Sequence, residues 1–138
     1  MGLIGGSVAL ALKKAGLATH IVGIGRTEKS LNEALDLGVI DSVETNIEAA
    51  IQEADLILIA APVAQTTAIL QSIKPHLNKQ TVITDAGSTK ADVLACAKAV
   101  LGAQFNQFVG GHPIAGAEKS GVSAAMPDLY VEIGRAHV

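Results

Sequence analysis

Apolar stretches alternate with amphipathic stretches along the chain. Short runs of Val, Ile and Leu predict β-strands, and apolar residues spaced three and four positions apart predict helices. The predicted strands span residues 20–24, 55–61, 81–85 and 105–109. The predicted helices are residues 5–15, a segment that Thr27 caps, a segment that Asn46 caps, a segment around Leu70, and residues 89–101. This alternation favours right-handed βαβ units, and so an α/β fold with a doubly wound parallel sheet.

Helix-breaking residues mark the ends of the predicted helices. Gly16 and Gly38 follow the first two, and Pro75 ends the segment around Leu70. The run "DLILIAA" in the second predicted strand is almost entirely apolar, which is typical of a strand covered on both faces. The helix after Thr27 has one apolar face, made of Leu31, Ala34 and Leu35.

The amino-acid composition limits the kinds of protein that this chain could be. A chain of 138 residues suits one domain, and with 49% hydrophobic but only 2% aromatic residues its core must be aliphatic. The net charge is −3 without any basic run, so we expect neither a nucleic-acid partner nor a membrane surface. No apolar stretch approaches the length of a membrane span. The single cysteine, Cys96, fits a reducing cytoplasm, and we interpret it as a small core residue. We predict no metal site.

The chain opens on a glycine-rich segment, "GLIGGS", that looks like the latter part of the fingerprint G-x-G-x-x-G. Without a Cβ, Gly2 lets the backbone approach a pyrophosphate, and Gly5 lets a helix and a strand pack closely. Leu3 and Ile4 contribute N–H groups to a helix N-terminus, which attracts anions. Because a doubly wound domain begins with a strand, we expect this one to be N-terminally truncated, with its first strand missing.

The end of the first predicted strand indicates which dinucleotide is bound. NAD-binding domains carry an acidic residue there for the ribose 2′-hydroxyl, but this chain has Gly25, followed by Arg26 and Thr27. The missing carboxylate removes repulsion of a 2′-phosphate, and an arginine pairs with a phosphate through two hydrogen bonds. We therefore predict NADP, with NAD use possible; the alternative is a solvated loop arginine.

Three further motifs carry a resemblance to a known family. "GGHPIAGAEKSG" (residues 110–121), "DAGSTK" (85–90) and "APV" (61–63), together with "GLIGGS", closely resemble the prephenate/arogenate dehydrogenase family of tyrosine biosynthesis, collinearly from Gly2 to about Val131. The resemblance implies a Rossmann-like NAD(P)-binding domain. It also implies oxidative decarboxylation of prephenate to 4-hydroxyphenylpyruvate, or of arogenate to tyrosine. A helical domain that forms the homodimer in the family is absent from this chain, so we expect the chain alone to be inactive.

The resemblance also assigns roles to site residues. It makes His112 the catalytic histidine that takes the proton of the substrate's ring hydroxyl, Ser88 the serine that orients His112 and touches the nicotinamide, and Glu118 an orienting or gating acid. Ala61 and Pro62 lie where the cofactor meets the end of a strand. Relatives often have a hydroxyl residue where this chain has Ala117, so the preference between prephenate and arogenate stays open.

Some of these residues also have simpler interpretations. His112 could be a loop histidine bound to backbone, and Ser88 could be only a helix N-cap. Lys90 is interpreted as a surface or phosphate-facing charge. The alternative functions are another NAD(P)-dependent reductase, such as a β-hydroxyacid dehydrogenase or an imine reductase, and a non-catalytic nucleotide-sensing domain.

The end of the chain departs from the family pattern. After "PDLY" the family continues into a strand, and Val131 suits that strand. Codons for Ile133 to Val138 match the start of a common sequencing-adapter oligonucleotide. We therefore interpret residues 1–131 as the NAD(P)-binding domain and residues 132–138 as a non-native tail; the alternative is a genuine polar tail after a short strand.

Overall fold

A computed structural model of the chain describes residues 1–115, 118–131 and 135–137. The helices are α1 (Leu3–Lys14), α2 (Glu28–Asp36), α3 (Ile47–Gln52), α4 (Thr66–Ile73) and α5 (Lys90–Leu101). The strands are β1 (Val22–Gly23), β2 (Ser42–Val43), β3 (Leu56–Ile59), β4 (Val82–Asp85), β5 (Phe108–Val109), β6 (Gly111–Pro113) and β7 (Arg135–His137). Short 3₁₀ helices lie at Val63–Gln65, Lys74–His76, Gly102–Gln107 and Val122–Ala124.

The chain divides into two compact units. One is built from residues 1–45 and the described part of 113–134, and the other from residues 46–112 and 135–137. Both contain parallel strands with helices between them, so the predicted α/β class with parallel pairing is confirmed.

The first unit holds the glycine-rich start of the chain. Its strands β1 and β2 pair in parallel, with Val22 opposite Ser42. Gly16 and Gly38 both have φ of +67° just after α1 and α2, a backbone conformation that glycine adopts without a Cβ penalty. Its buried core is aliphatic: Ala9, Leu31, Ala34, Val39, Ile40 and Val122. Leu35, predicted to face inward with Leu31 and Ala34, is 39% exposed, so that prediction was wrong.

The second unit contains the larger sheet. Its strands follow the order β3-β4-β5, all parallel, with Ile57 opposite Ile83 and Ile83 opposite Phe108. The buried core comprises Ile51, Ile59, Leu70, Ile73, Ile83, Val93, Ala97, Leu101 and Phe108. Leu56 is 48% exposed, contrary to the expectation of a strand covered on both faces, and within this sheet β3 has a neighbouring strand on one side only.

Helix starts and ends agree well with the predictions. The Oδ1 atom of Asn46 accepts a hydrogen bond from the Ala49 N–H at 3.3 Å, as predicted for an N-cap. Thr27 occupies the N-cap position of α2, but its hydroxyl donates to the Ser30 Oγ instead of binding helix amides. Helix α4 ends at Ile73, before the 3₁₀ turn that contains Pro75.

Three local predictions near the C-terminal end were wrong. The strand predicted for residues 105–109 is only Phe108–Val109, because Phe105 lies in the 3₁₀ turn that follows α5. His112, predicted in a loop, lies in β6, which forms a two-stranded sheet with β7. Val131, predicted in a strand, lies in a turn in which its N–H donates to the Asp128 carbonyl.

Two remaining predictions concern membrane spans and the residues near the end of the chain. Among the described residues, no helix combines the length and the apolar character needed to cross a membrane. Ala117 and most of the predicted tail (residues 132–134 and 138) lie outside the described residues.

Candidate functional site

The sequence-predicted residues of the second unit lie at or just beyond the carboxyl ends of its strands. Ala61 and Pro62 follow β3, Ser88 lies in the loop after β4, and His112 lies in β6, shortly after β5. Because β3, β4 and β5 are parallel, their carboxyl ends lie at the same edge of the sheet, where α/β proteins bind their ligands. The Ala86 N–H donates to the Ile59 carbonyl at 3.1 Å, which continues the β3–β4 pairing into the loop that carries Ser88.

Asp85, the last residue of β4, is the most connected side chain at this edge. Its side chain is only 3% exposed. The Oδ2 atom accepts hydrogen bonds from the Gly87 N–H at 2.8 Å and from the ammonium of Lys90, while Oδ1 accepts from the Gly111 N–H at 3.1 Å. A buried carboxylate is stable only when it is paired and hydrogen-bonded, and these donors satisfy it.

Lys90 is buried, which corrects its interpretation as a surface or phosphate-facing charge. It is the first residue of α5, its side chain is 9% exposed, and its ammonium forms an ion pair with Asp85. The buried positions of α5 are Lys90, Val93, Ala97 and Leu101. Lys90 therefore occupies an inward position in the helical repeat, and this spacing was the signal in the sequence that could have predicted its burial.

Ser88 and His112 differ from Asp85 and Lys90 in the partners of their side chains. Ser88 is exposed and His112 is half-buried, and neither side chain forms a hydrogen bond within the described part of the chain. The N-cap position of α5 belongs to Thr89, so the alternative of Ser88 as that N-cap is wrong. Both side chains are available to a ligand.

Two glycines beside Asp85 were not singled out by the sequence analysis. A Cβ on Gly87 would lie 2.9 Å from Asp85 Oδ2 and 3.1 Å from a methyl group of Val63. A Cβ on Gly110 would lie 3.1 Å from the Lys90 Cδ and 3.2 Å from Leu94. A side chain at Gly87 would therefore collide with the buried carboxylate, and one at Gly110 would fit only if the Lys90 and Leu94 side chains shifted slightly.

The first unit contains the candidate phosphate site, at the start of α1. Gly2 is the N-cap residue, no side chain caps the helix, and its first turn contains no acidic residue. The first helical bond runs from the Gly6 N–H to the Gly2 carbonyl, so the amides of Leu3, Ile4 and Gly5 precede the intrahelical ladder. A Cβ on Gly2 would meet no atom within 4 Å, so the space around it is open. This helix end fits an anionic phosphate group.

Gly6 and Tyr130 hold α1 in the first unit. A Cβ on Gly6 would lie 2.9 Å from the Ala125 Cβ, so close packing requires glycine there. The hydroxyl of Tyr130 donates to the Ile4 carbonyl at 3.0 Å, and burial raises the pKa of this phenol. Tyr130 therefore stays protonated near neutral pH and keeps this bond to the first turn of α1.

Arg26 and Thr27 lie in the exposed segment between β1 and α2. Arg26 forms no ion pair among the described residues. A Cβ on Gly25 would lie 3.3 Å from a methyl group of Leu31, so a larger residue there would have to displace Leu31 slightly. The guanidinium is free to bind an anion.

Glu118 is exposed and forms no ion pair in the part of the chain that the structure describes. No group of three or more His, Cys, Asp or Glu side chains in that part could hold a metal ion.

Cys96 is half-buried against the core of the second unit, where its Sγ lies 2.9 Å from the Thr67 hydroxyl.

Comparisons with known proteins agree on one family. The family model described as "Prephenate dehydrogenase, nucleotide-binding domain" matches residues 8–134. The chain is 44% identical over 131 residues to the prephenate dehydrogenase of Bacillus subtilis, covering 94% of this chain and 35% of that protein. It is 42% identical over 131 residues to the Lactococcus lactis prephenate dehydrogenase, covering 94% of this chain and 36% of that protein. The chain thus spans about a third of the length of these curated relatives.

Solved structures show the same likeness. Aquifex aeolicus prephenate dehydrogenase, in complex with hydroxyphenyl propionate and NAD+, matches with a TM-score of 0.86 and 34% identity, over 96% of this chain and 46% of that one. Synechocystis arogenate dehydrogenase matches with a TM-score of 0.85 and 27% identity, over 97% of this chain and 46% of that one. The fold is therefore the Rossmann-like one that the motifs implied. The chain belongs to the family of prephenate dehydrogenase nucleotide-binding domains.

Proposed function

We propose that this chain is the dinucleotide-binding part of an enzyme that oxidatively decarboxylates prephenate or arogenate. The observation that carries the proposal is the family match over residues 8–134, together with relatives that are named for these reactions. A bound NAD(P) accepts the hydride that leaves the substrate's ring carbon. Loss of the carboxylate as carbon dioxide then makes the ring aromatic.

For the site residues we propose the roles that the resemblance implies, and the positions of the residues support them. The half-buried imidazole of His112 has no partner among the described residues, so it is available to take the proton of the ring hydroxyl as hydride leaves the same carbon. The exposed hydroxyl of Ser88 orients that imidazole and contacts the nicotinamide end of the cofactor. Glu118, an exposed acid, orients or gates the substrate, and Ala61 and Pro62 line the cofactor's path beyond β3.

The residues proposed to bind the phosphate groups of the dinucleotide lie in the first unit. The open N-terminus of α1, with the amides of Leu3, Ile4 and Gly5, binds the pyrophosphate. Arg26 pairs with a 2′-phosphate and Thr27 adds a hydroxyl beside it, so we propose that NADP is preferred and NAD is also used. The NAD+ in the Aquifex aeolicus structure supports a dinucleotide at such a domain but does not distinguish the two cofactors.

The test measures reduced-cofactor fluorescence with the full gene product. Prephenate, arogenate and a β-hydroxyacid are each offered with NADP or NAD. We expect turnover with prephenate or arogenate, and a specificity constant for NADP roughly ten times that for NAD, as expected for one charge-assisted contact. Turnover of the β-hydroxyacid alone would contradict the proposed reaction, and equal specificity constants would contradict the cofactor preference. Gel filtration of the same protein tests the homodimer that the resemblance implies.

A further inference from the structure

Two segments of the second unit that carry proposed site residues are bound to the same buried carboxylate. Gly87 and Gly111 donate their N–H groups to the two oxygens of Asp85, at 2.8 and 3.1 Å. Ser88 directly follows Gly87, and His112 directly follows Gly111. Asp85 and Gly111 are 26 positions apart in the sequence, so Asp85 joins the loop after β4 to the strand that carries His112, just beyond the end of the β4–β5 pairing.

The side chains of Ser88 and His112 have no hydrogen-bond partners of their own among the described residues. The positions of these two side chains therefore depend on where the backbone of each segment is held. We infer that Asp85 is a positioning residue, whose carboxylate holds the His112 strand against the Ser88 loop; this inference rests on the proposed function.

The packing around Asp85 leaves the two backbones little room to move. A single carbon atom added at Gly87 would collide with Asp85 Oδ2, and one added at Gly110 would press against the Lys90 side chain. The Lys90 stem thus supports the strand that leads into His112, while its ammonium supplies the charge that allows Asp85 to remain buried as a carboxylate.

Gly87, Lys90 and Gly111 all donate hydrogen bonds to residue 85, so this position requires a carboxylate. An ionised carboxylate accepts at both oxygens, and Asp85 uses both. An amide at this position would turn an NH₂ group toward Gly87 and Lys90 or toward Gly111, which also offer N–H groups. One backbone would then be released, and displacements of about 1 Å cost on the order of 100-fold in rate when a catalytic group must meet its substrate in one geometry.

The test uses the double variant Asp85→Asn/Lys90→Met in the full gene product. The double change removes both charges together, so neither is left buried without its partner. The matched control is Asp41→Asn/Lys13→Met in the first unit, because Asp41 likewise accepts from Lys13, at 2.7 Å, and from a backbone N–H, that of Ile21, at 2.7 Å. We expect kcat of the Asp85 variant to fall by roughly 30- to 100-fold while the KM for the dinucleotide changes less than about threefold. The control should keep kcat within about threefold.

A merely structural role for Asp85 would lower the melting temperature but leave kcat per folded molecule unchanged, and a kcat within threefold of wild type would overturn the inference.

Hydrogen exchange of the Gly111 amide and the His112 ring resonances, both followed by NMR, give a readout that does not need activity. If the wild type turns over neither substrate, the proposed function fails, and these signals still decide the positioning role. We expect a protected Gly111 amide in the wild type, and faster exchange with altered His112 signals in the variant. A wild-type Gly111 amide that exchanges as fast as an open loop amide would overturn the inference, even if the variant does not fold.

Discussion

His112 and Arg26 are proposed to act through side chains that have no partner among the described residues. The His112 ring is half-buried in β6, and Arg26 is exposed after β1; neither forms an ion pair or side-chain hydrogen bond among the described residues. By contrast, buried polar groups such as Asp85 and Ser7 are fully satisfied: the Ser7 Oγ accepts from the Met126 N–H at 2.9 Å. Unpartnered groups at strand ends are the ones that remain available to ligands.

His112→Asn should lower kcat of the full gene product by about 10²–10⁴-fold, the usual contribution of a general base. Dinucleotide affinity should stay within a few-fold because the proposed partner of the ring is the substrate hydroxyl. Steady-state kinetics and a fluorescence titration with NADPH measure the two effects. The matched control is His76→Asn, a half-buried histidine in the same unit within the Lys74–His76 turn. Near-normal turnover of the His112 variant would remove this residue from the mechanism.

Arg26→Ala should weaken NADP binding by about 1–3 kcal/mol, the range for a hydrogen bond to a charged group, and leave NAD binding unchanged. Isothermal titration with each dinucleotide measures this difference. Lys98→Ala, which removes an exposed cation from the last turn of α5, is the control for a general change in charge. An equal loss of affinity for NAD and NADP would show that Arg26 does not contact the 2′-phosphate.

At the scale of elements, helix α1 is held at both ends by polar contacts. Tyr130 binds the carbonyl of Ile4 in its first turn, and Lys13 in its last turn binds the Gly38 carbonyl and Asp41. The hydrogen bond from Lys13, with a further one from the Ile21 N–H, lowers the pKa of Asp41 below 3.8. The ionised form of Asp41 is therefore favoured by folding.

This lowered pKa predicts a pH dependence. A carboxyl group whose pKa is lower in the folded state adds stability above its unfolded pKa, and this stability is lost as the pH falls below 3.8 through the folded value. Asp41→Asn should therefore reduce stability at pH 7 by about 0.2–1 kcal/mol, since both partners are partly exposed, and the difference should shrink toward pH 2.

Urea unfolding of the full gene product at several pH values measures the Asp41 effect. Asp36→Asn, at an exposed carboxylate of α2 without an ion pair in the described structure, is the control and should show no such trend. A constant difference between wild type and Asp41→Asn across the whole pH range would contradict the prediction.

At the scale of the whole molecule, stability comes from aliphatic packing because aromatic side chains are almost absent. The cores of the two units contain Leu, Ile, Val and Ala, and Phe108 is the one aromatic residue among their buried members. Phe105 stacks on it with ring centroids 6.3 Å apart. Core stability therefore depends mainly on close contact between aliphatic side chains.

Leu70→Ala should lower the free energy of unfolding by about 2–5 kcal/mol, because Leu70 is fully buried and its removal leaves a cavity. Denaturant unfolding of the full gene product measures the change. Leu37→Ala, at a leucine that is 53% exposed, should change stability by less than about 0.5 kcal/mol. Equal effects of the two substitutions would show that the core does not depend on Leu70.

From the sequence we could predict the alternation of strands and helices and most helix ends, and recognise the family motifs. These features depend on neighbouring residues: the period of apolar positions, the need for glycine at positive φ at Gly16 and Gly38, and the side-chain cap of Asn46. Such local requirements can be read without knowing the rest of the fold.

The surroundings of the candidate site depend on tertiary packing, although the spacing of Lys90 along α5 carried a signal for its burial. The burial of Lys90, its pairing with Asp85, the bond from Gly111 and the inclusion of His112 in a strand were all absent from the sequence predictions. Local pattern likewise failed for Leu35, which is exposed, and for Phe105, which lies in a turn. The physical reason is clearest for Gly111 and His112: their contacts depend on which remote segment packs against them, and periodicity carries no information about that partner.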